Sequence, residues 1–314
     1  MYDIIALGEL LIDFTPAGKN EHGYPMFAQN PGGAPANLLT VASRMGLKTA
    51  MMGKLGDDSF GAFLKNVLAH EQVDVRGLMM DKLYDTTLAF VHLGDDGDRS
   101  FSFYRKMGAD KFLRESDIDV SQIDNTKIFH FGTLSLTDEP SRSATKYAMK
   151  YADEKGKIIS FDPNWRPPLW SGVDVFLEQS IECLPYCTVV KMSEEELALF
   201  TNTNDIEKGI ESLLSEYENI LVLCVTMGKE GCFICNRKQH THVPIFDAGQ
   251  PIDTTGAGDC FFGAFLYKLL KSGEEVEKIS HVSLVGCAEF ASKVAGISTT
   301  RHGGIPSIPT IDEL

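Results

Sequence analysis

The stretch DTTGAGDCFFGAFLYKLLKSG, residues 253–273, decides how this 314-residue chain is read. Its second half is apolar at helical spacing. Phe261, Phe265 and Leu269 repeat every four residues, as do Phe262, Leu266 and Leu270. That spacing predicts a helix buried on most sides, starting near Ala257 and stopping at Gly273. The first half is acid, hydroxyl and glycine. A helix start carries unpaired N–H groups and partial positive charge, and Gly256 and Gly258 put no side chain in the way of an anion there. Asp259 then has two readings. One is a helix-stabilising acid, the commoner case for an isolated Gly-x-Gly-Asp. The other is a general base beside an anion hole, as a phosphotransferase needs.

Outward from this stretch, short β-rich runs alternate with helical patterns. IIAL (4–7), TAMMG (49–53), KIFHFG (127–132), KIISFD (157–162), TVVKM (188–192) and ILVLCVT (220–226) read as strands. NLLTVASRMG places Leu38, Val41, Ala42 and Met45 on one helix face, with Gly46 as a stop. The segments after Pro140, Ser193 and Asp205 also open like helices. Such alternation predicts an α/β fold with a mostly parallel sheet covered on both faces. Two segments break the rhythm, about 12–32 and 86–110, the second with a hairpin turn at Gly94-Asp95-Asp96-Gly97. They read as a small added sheet, a lid across the carboxyl ends of the main strands, where ligands of open α/β sheets bind. No repeat or linker divides residues 1–314, so one domain is expected.

Composition narrows the function. With 43% apolar residues the chain can bury a large core. A net charge of −15 repels nucleic acid and anionic membranes, but a local cluster of donors can still hold a small anion. The N-terminal apolar run contains Asp3, Glu9 and Asp13 and makes a poor signal peptide; no apolar run reaches membrane-spanning length. A cytoplasmic protein is the expectation. Seven cysteines, an odd count, do not look like a disulfide framework. A P-loop motif is absent, and no Gly-x-Gly-x-x-Gly follows the first strand, which disfavours a dinucleotide site.

DTTGAGDCFFGAFL resembles the C-terminal signature of the ribokinase/PfkB family of carbohydrate kinases. GGAPANLLTVASRMG (32–46), about 220 residues upstream, resembles the family's N-terminal signature. GELLIDF (8–14), FSFYRKMGAD (101–110), SFDPNWRPPLW (160–170), KMSEEE (191–196) and VTMGKEGC (225–232) are similar to the bacterial and plant fructokinase branch. The resemblance implies a ribokinase-like three-layer sandwich and an ATP-dependent kinase acting on fructose. It implies that Asp259 is the base acting on the sugar hydroxyl and that Gly256, Ala257 and Gly258 form the anion hole. Asp253 and Thr255 match positions that hold potassium, although Asp253 could merely cap the turn.

For the sugar, the resemblance implies Asp13 at the end of the first strand, Gly32 and Gly33 as bare backbone, and Asn37. Asn37 has donor and acceptor atoms suited to a hydroxyl, or to capping its own helix. Phe103 and Arg105 alternate on a lid strand and would face sugar and phosphate together. Asn164 and Arg166 lie just past a strand end, near the sugar by resemblance. Lys191 stands where many members have asparagine and is expected to reach the nucleotide phosphates. Glu194 is the family's magnesium-linked acid, acting through water, or simply a first-turn helix acid. Thr226, Gly228 and Gly231 resemble the lining of the ATP site, and the helix around Ala288 to Ser292 should flank the adenine.

Other motifs carry less. Cys232 and Cys235 sit on a strand with side chains on opposite faces and no second pair, so they read as structural rather than zinc ligands. His240 and His242 have no carboxylate or cysteine beside them in sequence. Two rival functions stand beside fructose phosphorylation. One is a kinase for another sugar such as 2-keto-3-deoxygluconate, whose carboxylate Arg105 and Arg166 could meet. The other is a non-catalytic sugar-binding regulator, against which the intact Asp259 and glycine hole speak. Lid edges could pair between protomers, and the family leads one to expect a homodimer.

Overall fold

A computed structural model describes residues 1–93 and 99–314; the turn expected at Gly94-Asp95-Asp96-Gly97 lies outside the described residues. The strands in chain order are β1 (Tyr2–Leu7), β2 (Leu11–Lys19), β3 (Pro25–Gly32), β4 (Thr49–Gly56), β5 (Asp74–Asp81), β6 (Leu88–Leu93), β7 (Arg99–Tyr104), β8 (Thr126–Gly132), β9 (Ile158–Asp162), β10 (Val189–Ser193), β11 (Val222–Thr226), β12 (Cys232–Asn236) and β13 (His240–Val243). The helices are α1 (Ala34–Arg44), α2 (Ser59–His70), α3 (Val120–Asp124), α4 (Ser141–Glu154), α5 (Val173–Ile181), α6 (Glu194–Thr201), α7 (Ile206–Glu216), α8 (Ala257–Lys271) and α9 (His281–Thr299).

The large sheet has the order β13-β12-β11-β10-β9-β8-β1-β4-β5. Neighbours from β11 to β5 run parallel, and β12 and β13 add antiparallel at one edge. The parallel strands are apolar on both sides because both faces are covered. In β1, Ile4 and Ala6 enter one core layer while Ile5 and Leu7 enter the other. Residues of α1, α2, α8 and α9 fill the first layer, and residues of α4 to α7 the second. Cys232 and Cys235 fall in opposite layers, as alternation along a strand requires. The result is the expected three-layer α/β sandwich with a mostly parallel sheet.

β5 has no strand signature in sequence, since charges break its apolar run and Gly77 interrupts it. Gly77 answers a close backbone approach: a Cβ there would lie 2.7 Å from the Met51 carbonyl oxygen. The smaller sheet, β3-β2-β6-β7, joins the two segments that break the α/β rhythm. Phe90 holds it together, stacked on Phe14 at 4.8 Å and edge-on to Phe27 and Tyr104 at 5.4 Å each.

α8 runs as expected to Lys271, and Gly273 follows with φ 72°. It packs on α1 at close range. A Cβ on Gly263 would lie 2.6 Å from the carbonyl oxygen of Leu38, so only glycine permits this crossing. Among the described residues no helix is long and apolar enough to cross a membrane.

Candidate active site

The close crossing of α1 and α8 brings the two signature motifs together. Asn37 Nδ2 donates to Asp259 Oδ2 at 2.8 Å, across 222 residues of chain. Asp259 is 8% exposed. Burial, and then the nearby charge of Asp162, push its carboxyl up to about 6, against the opposing pull of Asn37, Lys191 and Arg166. Gly256 precedes the helix with φ 74°, a left-handed conformation that favours glycine. The N–H groups of Gly258 and Asp259 have no acceptor within their own helix.

Two cavities meet at this point. The larger, about 620 Å³, is lined by Glu9, Asp13, Asn37, Phe103, Arg166 and Asp259 among others. The smaller, about 270 Å³, is lined by Lys191, Glu196, Ala257 and Gly258. Asn164, Arg166, Gly256 and Asp259 belong to both. The base therefore stands where one chamber opens into the other.

The smaller cavity sets two cations, Lys191 and Arg166, beside Glu195, Glu196 and Asp259. Lys191 Nζ lies 2.9 Å from Asp162 Oδ2 and 3.0 Å from where a Cβ on Gly258 would sit. Burial works against its charge, but Asp162, Glu196 and Asp259 outweigh that and hold its pKa above the ordinary value. Asp162 Oδ1 also accepts the N–H of Asn164 at 3.2 Å, fixing the turn in which Asn164 takes φ 49°. Glu196 accepts from Trp165 N at 2.6 Å and Ser193 N at 2.7 Å, tying that turn to the start of α6.

The larger cavity is the acidic one. Asp13 is half-buried; burial raises its carboxyl to about 7, with Arg166 opposing and Asp259 and Asp253 adding to the rise. It lies not at the end of the first strand, as expected, but within β2 of the smaller sheet. The paired glycines follow from packing. A Cβ on Gly32 would lie 2.0 Å from Asp13 Oδ2, and one on Gly33, whose φ is 116°, 2.5 Å from the Glu9 carbonyl oxygen. Phe103 reaches the cavity from β7.

Three expected residues are placed differently. Arg105 lies past the end of β7, so the alternation that paired it with Phe103 no longer applies. It is 5% exposed and bonded to Asp110 at 2.7 Å, Thr137 at 2.8 Å and Leu134 O at 2.8 Å, and it is not among the cavity-lining residues. Glu194 is exposed and lines a surface depression with Leu197 and Thr203, which adjoins the smaller cavity at Glu195. Gly231 serves strand packing, since a Cβ there would lie 2.2 Å from Val243 O. Thr226 ends β11 and donates to Met192 O at 3.3 Å, and Gly228 has φ 53°; neither lines the two cavities. Asp253 is buried, accepting Thr255 N and Gly303 N at 2.9 Å each. Ser292 of α9 accepts the N–H of Phe246 at 2.8 Å. Sequence reasoning missed Glu9 and Asp162. Each is an acid at the carboxyl end of a strand, the one signal that could have marked them.

The pfkB carbohydrate kinase family model matches residues 1–311. The chain belongs to that family. This sugar kinase is 39% identical over 313 residues to fructokinase-1 of Zea mays, covering 99% of this chain and 96% of that protein. It is 38% identical over 309 residues to probable fructokinase-3 of Arabidopsis thaliana, covering 98% and 88%. Among solved structures, the fructokinase of Xylella fastidiosa with bound ATP superposes with a TM-score of 0.89 at 32% identity, covering 100% of this chain and 97% of that one. A Vibrio cholerae fructokinase double mutant with fructose, ADP and potassium bound gives 0.87 at 30% identity, covering 99% and 97%.

Proposed function

We propose that this kinase transfers the γ-phosphoryl group of ATP to the 6-hydroxyl of D-fructose, with Asp259 as general base. The observation that carries the reading is the buried Asp259 at the junction of two cavities, one lined by Glu9 and Asp13 and the other by Lys191 and the start of α8. Carboxylates suit sugar hydroxyls; Lys191 and the helix N–H groups suit phosphates. At neutral pH a carboxyl near 6 is ionised yet still basic enough to accept a proton. Asn37 holds one of its oxygens and so orients the other toward substrate. The substrate oxygen gives its proton to Asp259 and bonds to the γ-phosphorus, the bond to the β-phosphate oxygen breaks, and ADP departs. Gly258 and Asp259 N–H and Lys191 face the transferring oxygens, and Arg166 reaches both cavities.

Potassium fits the oxygen donors around Asp253, whose carboxylate joins the loops at 253–256 and 303–304 beside the anion hole. Magnesium accompanies ATP; by likeness to the family Glu194 remains its acid, acting through water from the depression that adjoins the Lys191 cavity at Glu195. Thr226, Gly228 and Gly231 remain the nucleotide side by likeness to the family. In this reading residues 1–314 act as one domain, and the small sheet that carries Asp13 and Phe103 closes over the sugar and excludes water. The exposed Phe27 and Tyr104 of that sheet suit pairing with a second copy. Seven free, buried cysteines suit a reducing cytoplasm. The engagement of Arg105 removes one of the two cations that a carboxylate-bearing sugar would use. The test is ADP release over a panel of sugars with potassium present or replaced by sodium. Fructose is expected to give the highest kcat/KM, with a fall in sodium; a better substrate in the panel overturns the specificity.

A further inference from the structure

We infer that Glu9 is a second sugar-binding carboxylate, which meets the C1–C2 end of the ketose while Asp259 meets the hydroxyl to be phosphorylated. The inference rests on the sugar-kinase reading above and deepens it. Glu9 follows β1 and is 4% exposed, yet it lines the larger cavity. Its Oε1 accepts the N–H of Ala34 at 2.9 Å. Among the described residues no ion pair balances it. Arg105, whose charge acts on Glu9, spends its N–H groups on Asp110, Thr137 and Leu134. Burial outweighs the pull of its own N–H and that of Ala34 on this carboxyl. Gly33, where a Cβ would lie 2.5 Å from the Glu9 carbonyl oxygen, cannot carry a cap for α1, so Glu9 supplies it from outside the helix while also lining the cavity.

Position supplies the function. Glu9 bonds α1 at Ala34, and Asp259 bonds the same helix at Asn37. The first bond is to a backbone N–H at the helix start and the second to a side-chain amide three residues on. Both carboxylates line the same cavity, Glu9 tied to the end of α1 and Asp259 to a side chain of its first turn. Asp13 lies on the facing strand β2 and is left for the ring hydroxyls between them. Leu11 and Leu134 add apolar lining to the same cavity. A hydroxyl at Glu9 gains a charge-assisted hydrogen bond, and a sugar without it leaves the carboxylate unpaired.

The test uses the full chain and three substrates: D-fructose, 1-deoxy-D-fructose and 2,5-anhydro-D-mannitol. KM and kcat are measured for wild type, Glu9→Gln and Asp13→Asn. Glu9→Gln keeps an oxygen for Ala34 and replaces the second acceptor with a donor. In wild type, one of the two analogues should lose about tenfold or more in kcat/KM relative to fructose. Glu9→Gln should raise the fructose KM by a similar factor, with a much smaller change in kcat, and should no longer distinguish fructose from that analogue. Asp13→Asn should still distinguish them. A wild-type KM in Glu9→Gln, or an equal penalty on all three substrates, overturns the inference. Glu9→Asp, one methylene shorter and still charged, repeats the comparison with the same outcomes should Glu9→Gln not fold. If wild type does not turn over fructose, the substrate reading fails; if it does and the variants do not behave as described, only the role of Glu9 fails.

Discussion

Replacing Asp259 by asparagine should stabilise the protein while removing its activity. The carboxyl sits at about 6 rather than 3.8. At 1.36 kcal/mol per pH unit, holding it ionised costs about 3 kcal/mol of folding stability above pH 6. The sign follows from proton binding. Between pH 4 and 6 the folded chain holds a proton that the unfolded chain releases, so stability falls as pH rises through that window. Asparagine carries no charge, and its oxygen can still accept from Asn37 Nδ2, so the variant avoids the cost without losing that bond. With about 2.1 cal/mol/K per residue, the 314-residue chain unfolds with an entropy near 0.66 kcal/mol/K. Calorimetry at pH 8 should therefore show Tm raised by up to about 4–5 °C, and at pH 5 by about half as much. In the same variant kcat should fall by at least about 10²-fold. Wild-type kcat/KM should decline as pH falls through about 6–7, a macroscopic limb shared with Asp13 and Glu9, both near 7. A variant that melts lower than wild type at pH 8, or turns over at a similar rate, refutes the reasoning.

Other positions separate support from contact. Lys191→Met leaves Asp162 buried without its cation and should cost about 3–5 kcal/mol in denaturant unfolding. Adding Asp162→Asn should recover much of that stability but not the turnover. Gly32→Ala forces Asp13 out of place, because the new Cβ would lie 2.0 Å from its carboxylate. Steady-state kinetics should show the sugar KM raised about tenfold or more and the ATP KM little changed. Arg105→Ala removes the partner of buried Asp110 and should cost about 3–5 kcal/mol by denaturation, while the sugar KM of the folded fraction stays near wild type.

Much of this molecule was legible in the sequence, for local reasons. The apolar spacing of α8, the glycines that frame it and the β-rich runs of the parallel sheet are determined by neighbours in the chain. Asp259, Asn37, Lys191, Asn164 and Arg166 converge because they lie at helix starts and strand ends of one sheet edge. What was not legible depends on partners far away. β5 is a strand by its pairing with β4, which needs the bare Gly77 against Met51 and which its own pattern does not show. Arg105 leaves the expected alternation because β7 stops at Tyr104 and Asp110 captures the guanidinium. Glu194 points outward while Glu196, two residues on, turns inward to Trp165, a choice set by the α6 capping box. Asp162 becomes informative only when Lys191, 29 residues later, is seen against it.

The most direct test of the central claim is the position of the new phosphate ester. Purified protein, D-fructose and ATP with magnesium and potassium are incubated and the product is read by ¹³C and ³¹P NMR. The account predicts fructose 6-phosphate, formed with ADP in equal amount and lost when Asp259 is replaced by asparagine. Phosphate on another carbon, or ADP released without a sugar phosphate, would contradict it.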